Sequence, residues 1–151
     1  MFYVIIYPAL LNMDYNARMV TNSQSLYDLI GGETGLRELV DRFYDVMDSA
    51  PEAKKVRAIH PEDLTNSRDK FFMFLSGWAG GPPLYMEKIG HPRLRQRHMP
   101  FPIGKVERDE WLWCMDKALQ QMPFDEQLNE YLMKKFTEIA NSMQNRVNID
   151  L

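Results

Sequence analysis

The most informative segment of the chain, residues 90–103, reads Gly90-His91-Pro92-Arg93-Leu94-Arg95-Gln96-Arg97-His98-Met99-Pro100-Phe101-Pro102-Ile103. Its prolines leave room for only one or two helical turns, between Pro92, which is tolerated at a first helical position, and His98. Leu94 lies one turn before His98 on the same helical face, and the apolar Phe101 and Ile103 follow it. The pattern predicts a histidine between an apolar pocket and a basic rim.

Such a histidine suits a large, flat anionic ligand with an apolar body and carboxylates at its edge. Haem is a ligand of this kind, because imidazole binds the iron and arginine binds the propionates through charge-assisted hydrogen bonds. A structural histidine beside a solvated basic turn fits the same residues equally well. A further interpretation takes Arg93, Arg95 and Arg97 as a phosphate or nucleic-acid contact on a helical module.

Composition narrows the function classes. The 151 residues carry a net charge of −3, so no general positive field recruits nucleic acid or an anionic membrane, and no nucleic-acid partner is expected. Cys114 is the only cysteine, which excludes an internal disulfide and is typical of a reducing compartment, so we expect a cytoplasmic protein. An imidazole-centred site must be built from His60, His91 and His98, the only histidines. His91, which precedes a proline, is assigned no role.

The N-terminal part differs from the rest. The apolar run from Met1 to Leu11 is too short to span a bilayer, is interrupted by Pro8, and has no basic segment before it, so neither a membrane span nor a secretory signal is predicted. We expect residues 1–24 to be a loosely ordered extension or the result of a start assigned too early, with a membrane-touching segment as the alternative. Residues 25–151 are expected to form one domain.

From Ser25 onward the apolar residues follow helical spacing, and no period-two strand is evident. We predict a short helix from Leu26 to Ile30 that Ser25 caps and Gly31-Gly32 ends. The next helix, of about three turns, carries apolar residues from Leu36 to Met47.

Three further helices are predicted from the same helical spacing of apolar residues. One carries Phe71 to Trp78 and is capped by Thr65 or Asn66, and the segment before it, which includes His60, is expected to be a loop. The two long closing helices carry the apolar stripes Trp111, Met115, Ala118 and Met122, and Leu128, Leu132, Phe136, Ile139 and Met143, the latter capped by Asp125.

Segment 90–103, together with Val106-Glu107-Arg108-Asp109-Glu110-Trp111-Leu112-Trp113-Cys114-Met115, closely resembles the truncated (2/2) haemoglobins of group II. Other segments match the same family in order: Leu26-Tyr27-Asp28-Leu29-Ile30-Gly31-Gly32, Arg42-Phe43-Tyr44, His60-Pro61-Glu62-Asp63-Leu64, Met73-Phe74-Leu75 and Gly80-Gly81-Pro82. The resemblance covers about residues 25–145. It implies an all-α, globin-like fold, a two-over-two helical sandwich around haem b.

The resemblance also implies roles for individual residues. His98 is expected to be the proximal iron ligand, and Arg97, with Lys70 and Tyr85, the partner of the propionates. Tyr44, Trp111 and His60 are expected on the distal side, where their N–H and O–H groups stabilise the bound ligand. The pocket wall is expected to include Phe71, Phe74, Leu94, Phe101, Ile103 and Met115.

The function implied is binding of dioxygen, nitric oxide, carbon monoxide or a similar small ligand at a His-ligated iron. Several distal donors would make dioxygen release slow, which favours chemistry such as nitric oxide dioxygenation or a peroxidase-like reaction, with an unidentified reductase, over bulk oxygen transport. The alternative is an electron-transfer or redox-sensing haem protein in which His60 or Tyr44 provides an internal sixth ligand. A monomer and a homodimer are both compatible with the sequence.

Overall fold

The computed structural model describes residues 24–147. In this part the chain forms eight helices: α1 (Leu26–Ile30), α2 (Gly32–Ser49), α3 (Lys54–Ala58), α4 (Thr65–Trp78), α5 (Leu84–Lys88), α6 (Leu94–His98), α7 (Lys105–Gln120) and α8 (Glu126–Met143). A single 3-10 turn, Pro51–Ala53, precedes α3. Between residues 24 and 147 no strand occurs, and no helix is long and apolar enough to cross a membrane. The predictions for residues 1–23 and 148–151 lie outside the described residues.

The four long helices build the fold. Helix α2 packs against α4 and against α7, and α7 packs against α8, so two helix pairs lie over each other. Phe43 of α2 and Phe136 of α8 are the largest fully buried side chains. The ring of Phe43 lies 5.1 Å from the indole of Trp111 on α7, which joins the two pairs through an aromatic contact. The predicted all-α, two-over-two arrangement is confirmed.

Two of the predicted helix caps are present in the structure. The Ser25 hydroxyl accepts a hydrogen bond from the Asp28 N–H at 3.1 Å, and the Asp125 carboxylate accepts one from the Leu128 N–H at 2.8 Å. Gly31 ends α1 with a φ of +110°, a left-handed conformation that favours glycine. These local signals therefore place the first and last helices of the described chain correctly.

Other helix boundaries differ from the prediction. Helix α2 has 18 residues, about five turns. Its first turn starts at Gly32 and is polar, so it showed no apolar spacing. Helix α4 is capped by neither Thr65 nor Asn66, because it begins at Thr65 and Leu64 occupies the N-cap position without a side-chain cap hydrogen bond. The Thr65 N–H donates to the Asp63 carboxylate at 2.9 Å. Helices α3 and α5, of five residues each, were not predicted, since one turn is too short to show a period.

The turn between α4 and α5 directs a side chain toward the site. Ser76 is completely buried, and its hydroxyl donates to the carbonyl oxygen of Pro82 at 2.7 Å. The Gly81 N–H donates to the Ser76 carbonyl oxygen at 2.8 Å. These two bonds hold α5 against α4, which brings Tyr85 to the edge of the cavity described next.

Candidate haem site

A cavity of about 460 Å³ opens between the two helix pairs. This volume lies within the roughly 300–1,000 Å³ that is typical of small-molecule and cofactor sites. Twelve of the residues predicted for the site line it: Tyr44, His60, Lys70, Phe71, Phe74, Tyr85, Leu94, Arg97, His98, Phe101, Ile103 and Trp111. Residues that are far apart in the sequence therefore meet at one place.

His98 lies at the last position of α6 and lines the cavity. Its Nδ1 atom is 2.6 Å from the carbonyl oxygen of Leu94, one turn earlier. A carbonyl can only accept, so Nδ1 carries the proton and, in the neutral ring, Nε2 holds a free lone pair. Histidines that bind metals show this arrangement, in which a backbone carbonyl fixes the tautomer and the ring direction.

The three arginines of the 90–103 segment point to different places. Arg97 lines the cavity, and its guanidinium lies 5.6 Å from the centre of the Tyr85 ring and donates to the His91 carbonyl oxygen at 3.2 Å. Arg95 instead donates to the carbonyl oxygens of Ser142 and Gln144 at the end of α8. Only Arg97 of these three lines the cavity, so they do not form a single cluster for phosphate binding.

Tyr44, on α2, lines the same cavity as the α6 segment. Its side chain is buried, and this burial raises the pKa of the phenol well above its usual value, although the charge of Arg68 acts in the other direction. The hydroxyl therefore stays protonated and remains a donor. Within residues 24–147 no group pairs with this hydroxyl.

Trp111 on α7 is also buried, with 9% of its surface exposed, and lines the same cavity. Its ring packs against Phe43, Phe71 and Phe136 at centroid distances of 5.1, 5.9 and 6.1 Å. In the described part of the chain its indole N–H, like the Tyr44 hydroxyl, has no hydrogen-bond acceptor. Neither atom is among the buried polar atoms that lack a partner, so both are open to the cavity, where a ligand could accept from them.

His60 follows α3 and shares the cavity with these donors. Its Nδ1 atom is 2.8 Å from the carbonyl oxygen of Val56, and its ring centre lies 5.9 Å from that of Tyr44. Burial lowers the pKa of His60. The hydrogen bond to Val56 opposes this shift, and the charges of Arg57 and His98 add to it. The ring is therefore neutral at pH 7, with Nε2 free to accept or bind.

Two anchors hold the His60 segment in place. Arg57 donates to the carbonyl oxygens of Pro61 and Glu62 at 2.8 and 2.9 Å and pairs with Asp48. The Glu110 carboxylate accepts from the backbone N–H groups of Lys55 and Val56 at 2.8 and 3.2 Å, at the start of α3. Glu110 precedes Trp111, so the same turn of α7 supports two of the predicted distal residues.

Phe71 and Phe74 of α4 form an apolar wall of the cavity. Ser67, one turn before Phe71, also lines it, and this small side chain leaves space there. On the α6 side the wall consists of Leu94, Phe101 and Ile103, of which Phe101 is 44% exposed.

One predicted wall residue is placed differently. Met115 is completely buried and is not among the residues that line the cavity. It follows Trp111 by one turn but belongs to the buried hydrophobic core of the described chain. Helical spacing identified the face of α7 correctly but not the depth at which the side chain lies.

Three further residues lie outside the cavity lining. His91 is exposed, and its Nδ1 accepts from the Arg93 N–H at 3.2 Å. Cys114 is fully buried, and burial, with a smaller effect of Glu110, raises the pKa of its thiol to about 12, so it is an inert apolar side chain. Trp113 is half-buried, with the Lys117 ammonium 5.5 Å from its ring.

The cavity also contains residues that the sequence did not indicate. Glu107 and Arg108 of α7 contribute to it, as do Ile139, Ala140 and Met143 of α8. Arg108 lies one turn before Trp111, so helical spacing from Trp111 could have identified it. Between residues 24 and 147 no group of three or more His, Cys, Asp or Glu side chains is arranged to hold a metal ion.

These residues fit a haem. His98 presents a free Nε2 to a cavity with apolar walls, and the cations Arg97 and Lys70, which could pair with the carboxylates of a flat ligand, line the same cavity. The fold and the site thus define an all-α, globin-type haem pocket.

The similarity to known proteins agrees with this class. The family described as Bacterial-like globin matches residues 25–145. Group 2 truncated hemoglobin YjbI of Bacillus subtilis is 42% identical over 120 residues, which are 80% of this chain and 88% of that protein.

Solved structures show the same relationship. The group II 2-on-2 hemoglobin of Agrobacterium tumefaciens is 46% identical, with a TM-score of 0.79 over 83% of this chain and 96% of its own. A truncated oxygen-avid haemoglobin from Bacillus subtilis is 41% identical, with a TM-score of 0.73 over 81% of this chain and 100% of its own. The chain belongs to the bacterial-like globin family, among the group II truncated haemoglobins, a family of haem proteins that bind small gaseous ligands.

Proposed function

We propose that the protein binds haem b with His98 as the iron ligand, and that it binds dioxygen, nitric oxide or carbon monoxide on the opposite side. The observation that carries this proposal is the arrangement of one cavity. It presents the free Nε2 of His98 from α6 and the unpartnered donors of Tyr44 and Trp111 from the facing helices.

The chain's own residues would bind and orient the cofactor. A bound haem supplies an iron atom that takes a diatomic ligand and exchanges electrons. Arg97, Lys70 and Tyr85 would bind its carboxylates at the open rim through charge-assisted hydrogen bonds. Phe71, Phe74, Leu94, Phe101 and Ile103 would cover its apolar faces and exclude water.

The distal donors would discriminate between ligands. Dioxygen takes up partial negative charge when it is held, so the Tyr44 hydroxyl and the Trp111 N–H would stabilise it more than they stabilise an uncharged ligand. The neutral His60 ring, whose Nδ1 proton is used by the Val56 carbonyl, has no further N–H to donate. A hydrogen bond to a charged group contributes about 1.5–3 kcal/mol, which is roughly 10- to 150-fold in affinity. Slow release of dioxygen would make the protein inefficient at bulk oxygen delivery. The truncated haemoglobin from Bacillus subtilis is described as oxygen-avid, which supports this expectation.

The reaction that fits these properties best is conversion of nitric oxide. One dioxygen, one nitric oxide and one electron give nitrate, and the electron would come from a reductase. Reaction with peroxide would use the same donors to stabilise negative charge on oxygen. The test is nitrate yield per nitric oxide added to the oxygenated protein. A near-equal yield supports the proposal, and release of nitric oxide unchanged contradicts it.

The cofactor and its ligand are tested by absorption spectra of the ferric, ferrous, carbonmonoxy and oxy forms. A Soret band that titrates to one haem per chain, with a His-ligated carbonmonoxy spectrum, is the expected result. Protein that shows no Soret band after reconstitution with haem would overturn the proposal.

A second candidate function rests on His60. Its Nδ1 is occupied by Val56, so its Nε2 is free in the same cavity as His98. His60 could therefore serve as an internal sixth ligand, which would suit electron transfer or redox sensing. A low-spin spectrum of the unliganded ferric and ferrous protein supports this function. A high-spin spectrum with an open or water-filled sixth position contradicts it.

A further inference from the structure

Helix α6, which ends with His98, cannot be stable on its own. It has five residues, and isolated helices of fewer than about 12–15 residues are marginal in water. Its first flanking residue, Arg93, has a φ of +41°, which is unfavourable for a side chain with a Cβ atom. The segment after it contains Pro100 and Pro102, which lack an N–H. The position of His98 therefore depends on contacts from elsewhere in the fold.

Asn145, just beyond the end of α8, provides such contacts. Its side-chain amide nitrogen donates to the carbonyl oxygen of His98 at 3.0 Å and to that of Phe101 at 2.9 Å. Its side-chain oxygen accepts from the Ile103 N–H at 3.0 Å. The backbone N–H groups of Asn145 and Arg146 both donate to the Ile103 carbonyl oxygen, at 2.9 and 3.0 Å.

The amide group is suited to this position because it contains two donors and an acceptor on one short side chain. It binds two carbonyls and one N–H of the segment that follows His98, where the prolines leave few backbone bonds. Arg95 provides a second link between the same elements, since it donates to Ser142 and Gln144 at the end of α8. Helix α6 is thus fastened to the end of α8 at two points.

Both the backbone and the ring of His98 are then fixed. Leu94 fixes the ring through Nδ1, and Asn145 fixes the carbonyl group of the same residue. We propose that Asn145 is a positioning residue that sets the direction of the His98 imidazole toward the iron. This inference rests on the proposed function, in which His98 is the iron ligand.

The test uses the haem-loaded full chain with two variants. Asn145→Ala removes all four side-chain hydrogen bonds, which include the one that the Asn145 oxygen accepts from the Arg146 guanidinium at 3.1 Å. Asn145→Asp keeps the acceptor for Ile103 but replaces the donors. Asn141→Ala is the matched control, because Asn141 is an exposed amide on α8 and, between residues 24 and 147, its side chain hydrogen-bonds only with Arg108. Resonance Raman spectra of the ferrous unliganded protein report the iron–histidine stretching band, and transfer to excess apomyoglobin reports haem loss.

We expect the iron–histidine band to shift or broaden in both Asn145 variants and haem loss to become about tenfold faster, a change of about 1.4 kcal/mol. The Asn141→Ala control should keep the wild-type band and rate. If Asn145→Ala does not fold, the same two measurements on Asn145→Asp decide the question. An unchanged band in a folded Asn145 variant would overturn the positioning role while leaving the proposed function intact.

The same substitution in a His98→Gly protein distinguishes a positioning role of Asn145 from a general effect on the stability of the pocket. In His98→Gly, added imidazole can bind the iron without a link to the backbone. Asn145→Ala should then leave the iron–imidazole band unchanged. If the substitution shifts this band as it does in the wild-type background, Asn145 acts on the whole pocket and the inference is wrong. A wild-type chain that binds no haem would instead contradict the proposed function itself.

Discussion

The Nδ1 atom of His98 lies 2.6 Å from the carbonyl oxygen of Leu94, one helical turn earlier. His60 repeats this relationship, with its Nδ1 atom 2.8 Å from the carbonyl oxygen of Val56. Each ring uses Nδ1 for the backbone, so the neutral form of each keeps Nε2 unprotonated. The cavity is therefore lined by two histidines of the same tautomer, and the following predictions separate their roles.

Replacing His98 with alanine should abolish stable haem binding, because His98 is the residue we assign to the iron. The measurement is the Soret absorbance that remains with the protein after gel filtration of the reconstituted sample. His91→Ala is the matched control, since His91 belongs to the same segment but is exposed and outside the cavity lining. Haem affinity that survives in His98→Ala would remove His98 as the iron ligand.

Tyr44→Phe should accelerate dioxygen release by roughly 10- to 150-fold, because it deletes one hydrogen bond to a charge-bearing ligand. The substitution removes only the hydroxyl, so the ring contact with Phe43 at 4.9 Å is kept. Stopped-flow displacement of dioxygen by carbon monoxide measures the rate. An unchanged rate would mean that this hydroxyl does not reach the ligand.

Trp111→Leu should also accelerate dioxygen release, through loss of the indole N–H donor. Trp113→Leu is its control, because Trp113 is half-buried on another face of α7 and does not line the cavity. The same stopped-flow assay applies to both. Equal acceleration in the two variants would attribute the effect to a general loosening of α7 rather than to the lost donor.

The stability of the protein should depend on pH through His60. Burial lowers its pKa in the folded state, so between that lowered value and the ordinary pKa of about 6.5 the unfolded chain binds more protons. Stability should therefore fall as pH drops below about 6.5 and be unaffected by this group above it. Thermal unfolding of wild type and His60→Gln from pH 5 to 8 measures this, and the variant should show a weaker decline. An equal decline of stability with falling pH in wild type and His60→Gln would contradict the assignment of this pH dependence to His60.

Glu110→Ala should destabilise the fold by about 0.5–2 kcal/mol, the usual cost of losing a helix cap. The carboxylate accepts from the Lys55 and Val56 N–H groups at the start of α3, and the variant leaves both without that acceptor. Chemical denaturation measures the change in the free energy of unfolding. Asp116→Ala, which removes only an exposed contact with Gln120, should change it by less than about 0.5 kcal/mol.

Deleting residues 1–24 should leave the haem spectra unchanged, because the family match begins at residue 25 and Ser25 itself caps α1. The ferric and carbonmonoxy spectra of the shortened chain test this. Loss of folding or of the Soret band would show that the N-terminal segment is part of the working structure.

Part of the candidate site could be predicted from local signals, since Leu94 and His98 are one turn apart between prolines. Tyr44 and Trp111 lie on apolar helical stripes, which fit ordinary packing equally well, and their place in the site was predicted from the resemblance to the group II truncated haemoglobins. Helix starts at Ser25 and Asp125 were predictable for the same reason, since a cap acts within three or four residues. By contrast, the five-residue helices α3 and α5 were missed, because one turn contains too few positions to show a period.

The amino-acid sequence alone determined the helical class, the order of the motifs and most residues that line the cavity. Only the tertiary structure decided that Met115 lies in the core and not in the cavity wall, that Arg95 binds the end of α8, and that Asn145 binds the His98 carbonyl from 47 residues away. Periodicity indicates which side of a helix is apolar. The depth at which a side chain is buried and the hydrogen bonds between distant residues arise only when helices pack, so neither leaves a signal in a short stretch of sequence.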